Sequence, residues 1–304
     1  MRLPSVRLDR VWARVVQVAL FLTFAAVSGQ KFVAWATSGH LGVDLRVYRT
    51  AAEVALRGGN PWAVIVDGYY FAAPPPSLLP FIPAALMPEG IAHVVYAVGL
   101  TIAALFALRR LRLPFWWILF PPLFEGLIDL NLDVLLVPLL LGGPLAGGAA
   151  VVCKAYAVIP LLLQRRWRPI AWSVPLVLLS LPWWLTYFEN REAILTTLGA
   201  QAGSLSAWGT WLMIPTAVAL AALRGRGSSW IAVPALWPST QLHYSSIALP
   251  AMKQSPVLAF LFCFAIPLLP PIAVMAEAIR VGVSQRLRER RVHAPDQVIP
   301  DRLP

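Results

Sequence analysis

The chain has 304 residues, of which 59% are hydrophobic and only 13% charged, with a mean hydropathy of +0.69. A soluble domain carries about 25% charged residues, so this composition excludes a soluble enzyme, a disordered regulator and a coiled coil. The net charge of +11 does not point to nucleic acid as a partner, because the basic residues sit at the ends of apolar runs, where positive charge holds a loop on the cytoplasmic side.

The expected fold is therefore all-α, a polytopic transmembrane helical bundle of about eight to ten membrane segments. One domain is expected over residues 1–280, with a basic tail, 281–304, that lacks regular structure. The 13 Trp residues suit membrane–water interfaces. Cys153 and Cys263 lie within apolar runs and are expected to pack rather than to pair or bind metal.

In chain order, Arg2, Arg7, Arg10 and Arg14 precede an apolar run and predict an uncleaved first span over 14–36, with the N-terminus in the cytoplasm. Residues 37–77 form the longest stretch that is not span-like and fall across the membrane. Ser77–Pro88 is apolar but too short to cross, since a spanning helix needs about 20 residues, and is expected to lie at the interface or re-enter. A span over 90–108 ends at Arg109-Arg110-Leu111-Arg112. The chain then rises through Phe115–Leu127 to Asp129-Leu130-Asn131-Leu132-Asp133 and returns to Gly142-Gly143-Pro144. If those glycines and Arg165-Arg166-Trp167-Arg168 are both cytoplasmic, 145–163 is a hairpin of two short helices with Lys154 near its tip; a single span would break the charge rule at one end. Further spans are expected at 169–187, 208–223, 230–252 and 256–279, with a cytoplasmic turn at Arg224-Gly225-Arg226 and both termini inside.

On this topology Asp44, Asp67, Asp129, Asp133, Lys154, Glu189, Glu192 and His243 all fall on the extracytoplasmic side. Ionisable groups at membrane depth cost at least about 2.5–3.5 kcal/mol on insertion scales and need a task or a partner. Asp44 opens an amphipathic interfacial helix whose positions 44, 48, 51 and 55 share a face, with Gly58-Gly59 and Pro61 ending it. Its carboxylate either caps that helix or points into a cavity. Lys154, one of three lysines among 25 basic residues, meets either an anionic ligand such as phosphate or an ion-pair partner, Asp129 or Asp133. His243 is either a hydrogen-bonded structural residue or part of a water-filled cavity, because Pro238–Ser246 interrupts an apolar span. Glu125 has no evident partner. Asp129 and Asp133 could hold a divalent ion, but two carboxylates without a third ligand are weak evidence, so no cofactor is assigned and a divalent metal stays open. Nucleotide-binding glycine loops, zinc motifs and nucleophile elbows are missing.

Four blocks carry a family resemblance. They are Asp44-x-x-x-Tyr48 with Gly58-Gly59-Asn60-Pro61-Trp62; Tyr69-Tyr70-Phe71-Ala72-Ala73-Pro74-Pro75-Pro76; Asn131 followed by Gly147-Gly148, Lys154, Pro160 and Arg165-Arg166-Trp167; and His243-Tyr244 with Leu249-Pro250. In this order they resemble the GT-C superfamily of multi-span glycosyltransferases, specifically glycosyltransferase family 87. The sequence departs from that pattern at Asp129-Leu130, where the family often has Gly-Gln.

The resemblance implies a hexosyltransferase that moves a sugar, commonly mannose, from a polyprenyl-phosphate donor to a glycolipid or cell-envelope glycan acceptor, with inversion. It implies Asp44 as catalytic general base, Lys154 and His243 as ligands of the donor phosphate, and Tyr48, Glu53, Asn131 and Tyr244 around the substrates. A flippase of polyprenyl-linked sugars or lipids and a non-catalytic envelope-assembly partner are the alternatives. The Arg-over-Lys, Ala-rich composition suggests a bacterium with GC-rich DNA, and hence its inner membrane.

Overall fold

The computed structural model describes residues 5–200, 205–223 and 227–293. Helix α1 (Ser5–Ser38) packs one stripe against the chain between Phe115 and Asp129. The Phe24 ring lies 5.3 Å from those of Trp117 and Phe120. Ser28 donates to the Leu119 carbonyl at 2.7 Å, Lys31 pairs with Glu125 at 2.8 Å, and the Trp35 indole donates to Asp129. These contacts advance in step along both segments, so the two run side by side in the same direction.

The first loop is built on the far end of that pair. The N–H groups of Gly42 and Asp44 donate to the carbonyls of Ile128 (2.7 Å) and Asp129 (3.1 Å). Gly42 has φ +70°, and a Cβ there would stand 2.9 Å from the His93 ring, so both conformation and space call for glycine. The expected amphipathic helix follows as α2 (Val43–Leu56) and stops at Gly58, φ +75°. Asn60 caps the next short turn through the Trp62 N–H. Strands β1 (Ile65–Val66) and β2 (Tyr69–Tyr70) form an antiparallel hairpin, closed by Asp67-Gly68 with both residues at positive φ, as a tight hairpin turn requires. A 3₁₀ segment, Pro75–Phe81, and α3 (Ile82–Ala85) make the expected short non-spanning piece.

Helix α4 (Glu89–Leu111) ends in the arginine stop. After a 3₁₀ turn, Phe115–Leu119, come α5 (Pro121–Ile128) and α6 (Asp133–Leu140), a rise and return joined at Leu130, φ +57°. The next expectation divided between a hairpin and a single span, and the hairpin is found: α7 (Pro144–Cys153) and α8 (Val158–Leu163) bracket Lys154. The two ends of this unit meet, because the Arg166 guanidinium donates to the carbonyls of Leu140 and, at 3.2 Å, of Gly142. Helix α9 (Trp167–Leu178) lies against α7 so closely that a Cβ at Gly148 would stand 2.9 Å from the Trp172 backbone. The rest is α10 (Trp184–Glu189), α11 (Arg191–Ala200), α12 (Met213–Ala222), α13 (Ser228–Leu236), α14 (Leu249–Met252), α15 (Pro256–Leu261) and α16 (Leu269–His293).

Among the described residues two helices are long and apolar enough to cross a membrane, Val11–Ser38 and Glu89–Leu111. Counting α9 with the 3₁₀–α10 segment, which meet at a 63° bend, makes three. The expected spans at 230–252 and 256–279 are instead broken, and that at 208–223 is shorter, its helix beginning only at Met213. Proline is the physical reason: it lacks the N–H and clashes with the preceding turn. Pro234 sits inside α13, Pro250 opens α14, Pro256 opens α15, and positive φ at Ser239 and Leu268 completes the breaks. The tail also differs from expectation, since α16 continues to His293. The Arg224-Gly225-Arg226 turn and residues 294–304 lie outside the described residues. On α1 and α4, Leu22, Val33, Ile102 and Phe106 are more than half exposed, an apolar exterior that water does not favour. Both cysteines are buried and free, as expected.

Candidate functional site

Four separate stretches deliver polar side chains to one place: the start of α2, the α5–α6 turn, the tip of the α7–α8 hairpin, and the 3₁₀ segment Leu242–Ala248. Asp44 lies in the first turn of α2, yet it does not cap the helix. Its carboxylate accepts a 2.6 Å hydrogen bond from the Asn131 amide. The same amide nitrogen stands 3.2 Å from His243 Nε2. Asn131 is itself held, because its carbonyl oxygen accepts from the Asp133 N–H at 2.9 Å. The capping alternative for Asp44 is thus set aside.

Asp133, buried at the start of α6, is the hub. One oxygen accepts from the Tyr156 hydroxyl and lies 3.7 Å from Lys154 Nζ; the other lies 3.5 Å from His243 Nε2. Lys154 also donates to the Tyr48 hydroxyl at 3.0 Å and sits over the Tyr48 ring at 5.0 Å and the Tyr244 ring at 6.0 Å. The counter-charge of Lys154 is therefore Asp133, one of the two ion-pair partners considered, and not Asp129. An ammonium ion among apolar helices needs such a partner, since an unpaired buried charge costs several kcal/mol.

Asp44, Tyr48, Asn131, Lys154, His243 and Tyr244 thus converge. Glu53 does not: it pairs along α2 with Arg57 and Arg49, on a different face of the helix from Asp44 and Tyr48. Two features escaped the sequence reading, namely Asp133 as the hub with Tyr156 attached, and Lys31 as the partner of Glu125. Both join residues far apart in the chain, and an isolated charge in an apolar run was the sole signal for them.

Asp129 and Asp133 do not form one pair. Asp129 groups with Glu125 and His243, each offering one potential ligand atom, all within 4.8 Å of one another. Acidic character reaches the loop as well: the Tyr69 phenol is pushed above its ordinary range by partial burial first and then by Asp129, Asp44, Asp67 and Glu125.

Asp44 and Tyr48 are half-buried while Asn131, Asp133, Lys154 and His243 are buried. A cavity of about 1390 Å³ lies beside α8, α12 and α13 and is lined by Leu162, Leu220, Trp230, Trp237 and other mostly apolar residues. It is separate from the polar cluster but close to it, since the Trp237 ring on its wall lies 5.7 Å from that of Tyr156.

The chain matches no family model, no curated protein and no solved structure.

Proposed function

We propose that this chain is a polytopic inner-membrane glycosyltransferase of GT-C type. It transfers a hexose from a polyprenyl-phosphate donor to a lipid-linked or cell-envelope glycan acceptor on the extracytoplasmic side, with both termini in the cytoplasm. Mannose is the sugar that the resemblance to glycosyltransferase family 87 implies. The observation that carries the reading is the convergence of the half-buried Asp44, held by Asn131, with Lys154 and His243. The apolar exterior of α1 and α4 supports the membrane setting.

In this reading Asp44 removes the proton of an acceptor hydroxyl as that oxygen bonds to the anomeric carbon. The bond from that carbon to the phosphate oxygen breaks, and its electron pair leaves with polyprenyl phosphate, inverting the configuration. General-base catalysis of this kind contributes about 10²–10⁴-fold. The leaving phosphate gains charge in the transition state, where a fixed cation is worth several kcal/mol. Lys154 supplies that stabilisation, with His243, Tyr48 and Tyr244 around the substrates. The cavity beside Trp237, mostly apolar but with Gln164, Arg165 and Gln254 also on its wall, has room for an isoprenoid chain.

The broken helices favour one other reading, a flippase of polyprenyl-linked sugars, because transporters build midplane sites from discontinuous helices. The two separate in membranes that contain or lack the protein, supplied with radiolabelled polyprenyl-phosphate mannose, other polyprenyl-phosphate hexoses and native lipid acceptors. Protein-dependent label in the acceptor supports the transferase. Label that crosses the bilayer with no acceptor product supports the flippase.

A further inference from the structure

Glu125, Asp129 and His243 form a buried set with one ligand atom each, within 4.8 Å of one another, and the proposed transfer chemistry gives no task to the two carboxylates. Glu125 and His243 are exposed by only 7% and 4%. Their leftover atoms are unsatisfied: Glu125 Oε1 is taken by Lys31, while Oε2 has no partner, and His243 Nδ1 has none either. Each buried polar atom without a partner costs about 1–3 kcal/mol. Charge is out of balance in the same direction. Four carboxyl groups, Asp44, Glu125, Asp129 and Asp133, meet only two ammonium groups, Lys31 and Lys154, so the acids outnumber the cations.

We propose that Glu125, Asp129 and His243 bind a divalent transition-metal ion of the Mn²⁺ or Zn²⁺ type. One such ion neutralises the surplus charge and satisfies the orphaned carboxylate oxygen and the free imidazole nitrogen together. The mixed donor set selects the class: carboxylates alone suit Mg²⁺ or Ca²⁺, whereas imidazole favours the first-row transition ions. Metal–ligand distances of about 2.0–2.2 Å place donor atoms about 3–4 Å apart, so small side-chain rotations close the set.

The surroundings already orient these ligands. Trp35 donates to Asp129, Lys31 holds Glu125, and Asp133 Oδ2, itself without a hydrogen-bond donor, lies 3.5 Å from His243 Nε2. A metal on Nδ1 puts the ring proton on Nε2, aimed at that carboxylate, the arrangement that fixes most metal-bound histidines. The change costs the contact in which the Asn131 amide now donates to Nε2.

The inference rests on binding and not on the transfer reaction, so the two fail separately. The purified full chain in nanodiscs is titrated with Mn²⁺ and followed by electron paramagnetic resonance, with Zn²⁺ as competitor. The expected result is one bound ion per chain, displaced by Zn²⁺, with affinity reduced at least about tenfold in Glu125→Gln and Asp129→Asn and unchanged in Glu53→Gln. Because a variant can fail to fold, the wild-type Mn²⁺ complex is also examined for electron spin-echo modulation by an imidazole nitrogen. Absence of a stoichiometric ion, binding that folded Glu125→Gln or Asp129→Asn retains in full, or a bound ion without nitrogen modulation would each overturn the proposal.

Discussion

Two carboxylate clusters share His243, and they are balanced differently. Around Asp133, an ammonium group, a phenol and an imidazole surround one carboxylate. Around Glu125 and Asp129, two carboxylates meet one ammonium group, that of the more exposed Lys31. The first cluster can hold its geometry unaided and present Lys154 and Asn131 to whatever approaches Asp44. The second leaves donors unspent. The contrast lies in the cations: Asp133 has an ammonium group of its own, whereas Glu125 and Asp129 share one, and in both clusters a carboxylate oxygen is left without a donor.

The largest expected effect comes from opening the closed cluster. Lys154→Met leaves Asp133 without its cation and is expected to cost about 3–5 kcal/mol of stability, read as a fall in thermal unfolding temperature in detergent. Lys154→Met combined with Asp133→Asn removes both charges and should recover most of that loss. A double variant as unstable as the single one would show that Asp133 is not the partner that matters. Next in size is Gly42→Ala, which forces a Cβ towards His93 at a positive φ and should cost about 1–3 kcal/mol, loosening the link between α2 and the end of α5. Trp35→Phe removes the donor to Asp129 and should cost about 1 kcal/mol. It bears on the unbalanced cluster alone and should leave the response to Lys154→Met unchanged. The smallest effect is expected for Glu53→Gln, within about 0.5 kcal/mol of wild type and with sugar transfer unaltered, because its partners are the exposed Arg57 and Arg49, which the Ala84 and Met87 carbonyls also hold.

Much of the site was legible because isolated charges in apolar runs stand out. Asp44 before an amphipathic stretch, Lys154 alone in an apolar run and His243 in a polar interruption each carried a local signal, and the structure brings them together. Asp133 was visible as a residue but not as a hub. Its phenol partner is 23 positions away, and no periodicity links an α5–α6 turn to the tip of the next hairpin. Glu53 shows the opposite error, since sharing a helix with Asp44 did not place it on the same face. The fold was legible where one helix runs unbroken, as in α1 and α4. It was not legible where apolar stretches carry internal prolines, because hydropathy averages over a break such as Pro234 to Ser239 without registering it.

The measurement that bears most directly on the central claim is sugar transfer from labelled polyprenyl-phosphate mannose in membranes holding matched amounts of wild type and Asp44→Asn. The isosteric change removes the base but keeps a side chain that Asn131 can hold, so folding should match wild type by thermal unfolding. The account predicts transfer by wild type and a loss of about 10²–10⁴-fold in the variant. Equal transfer by a folded Asp44→Asn would contradict it.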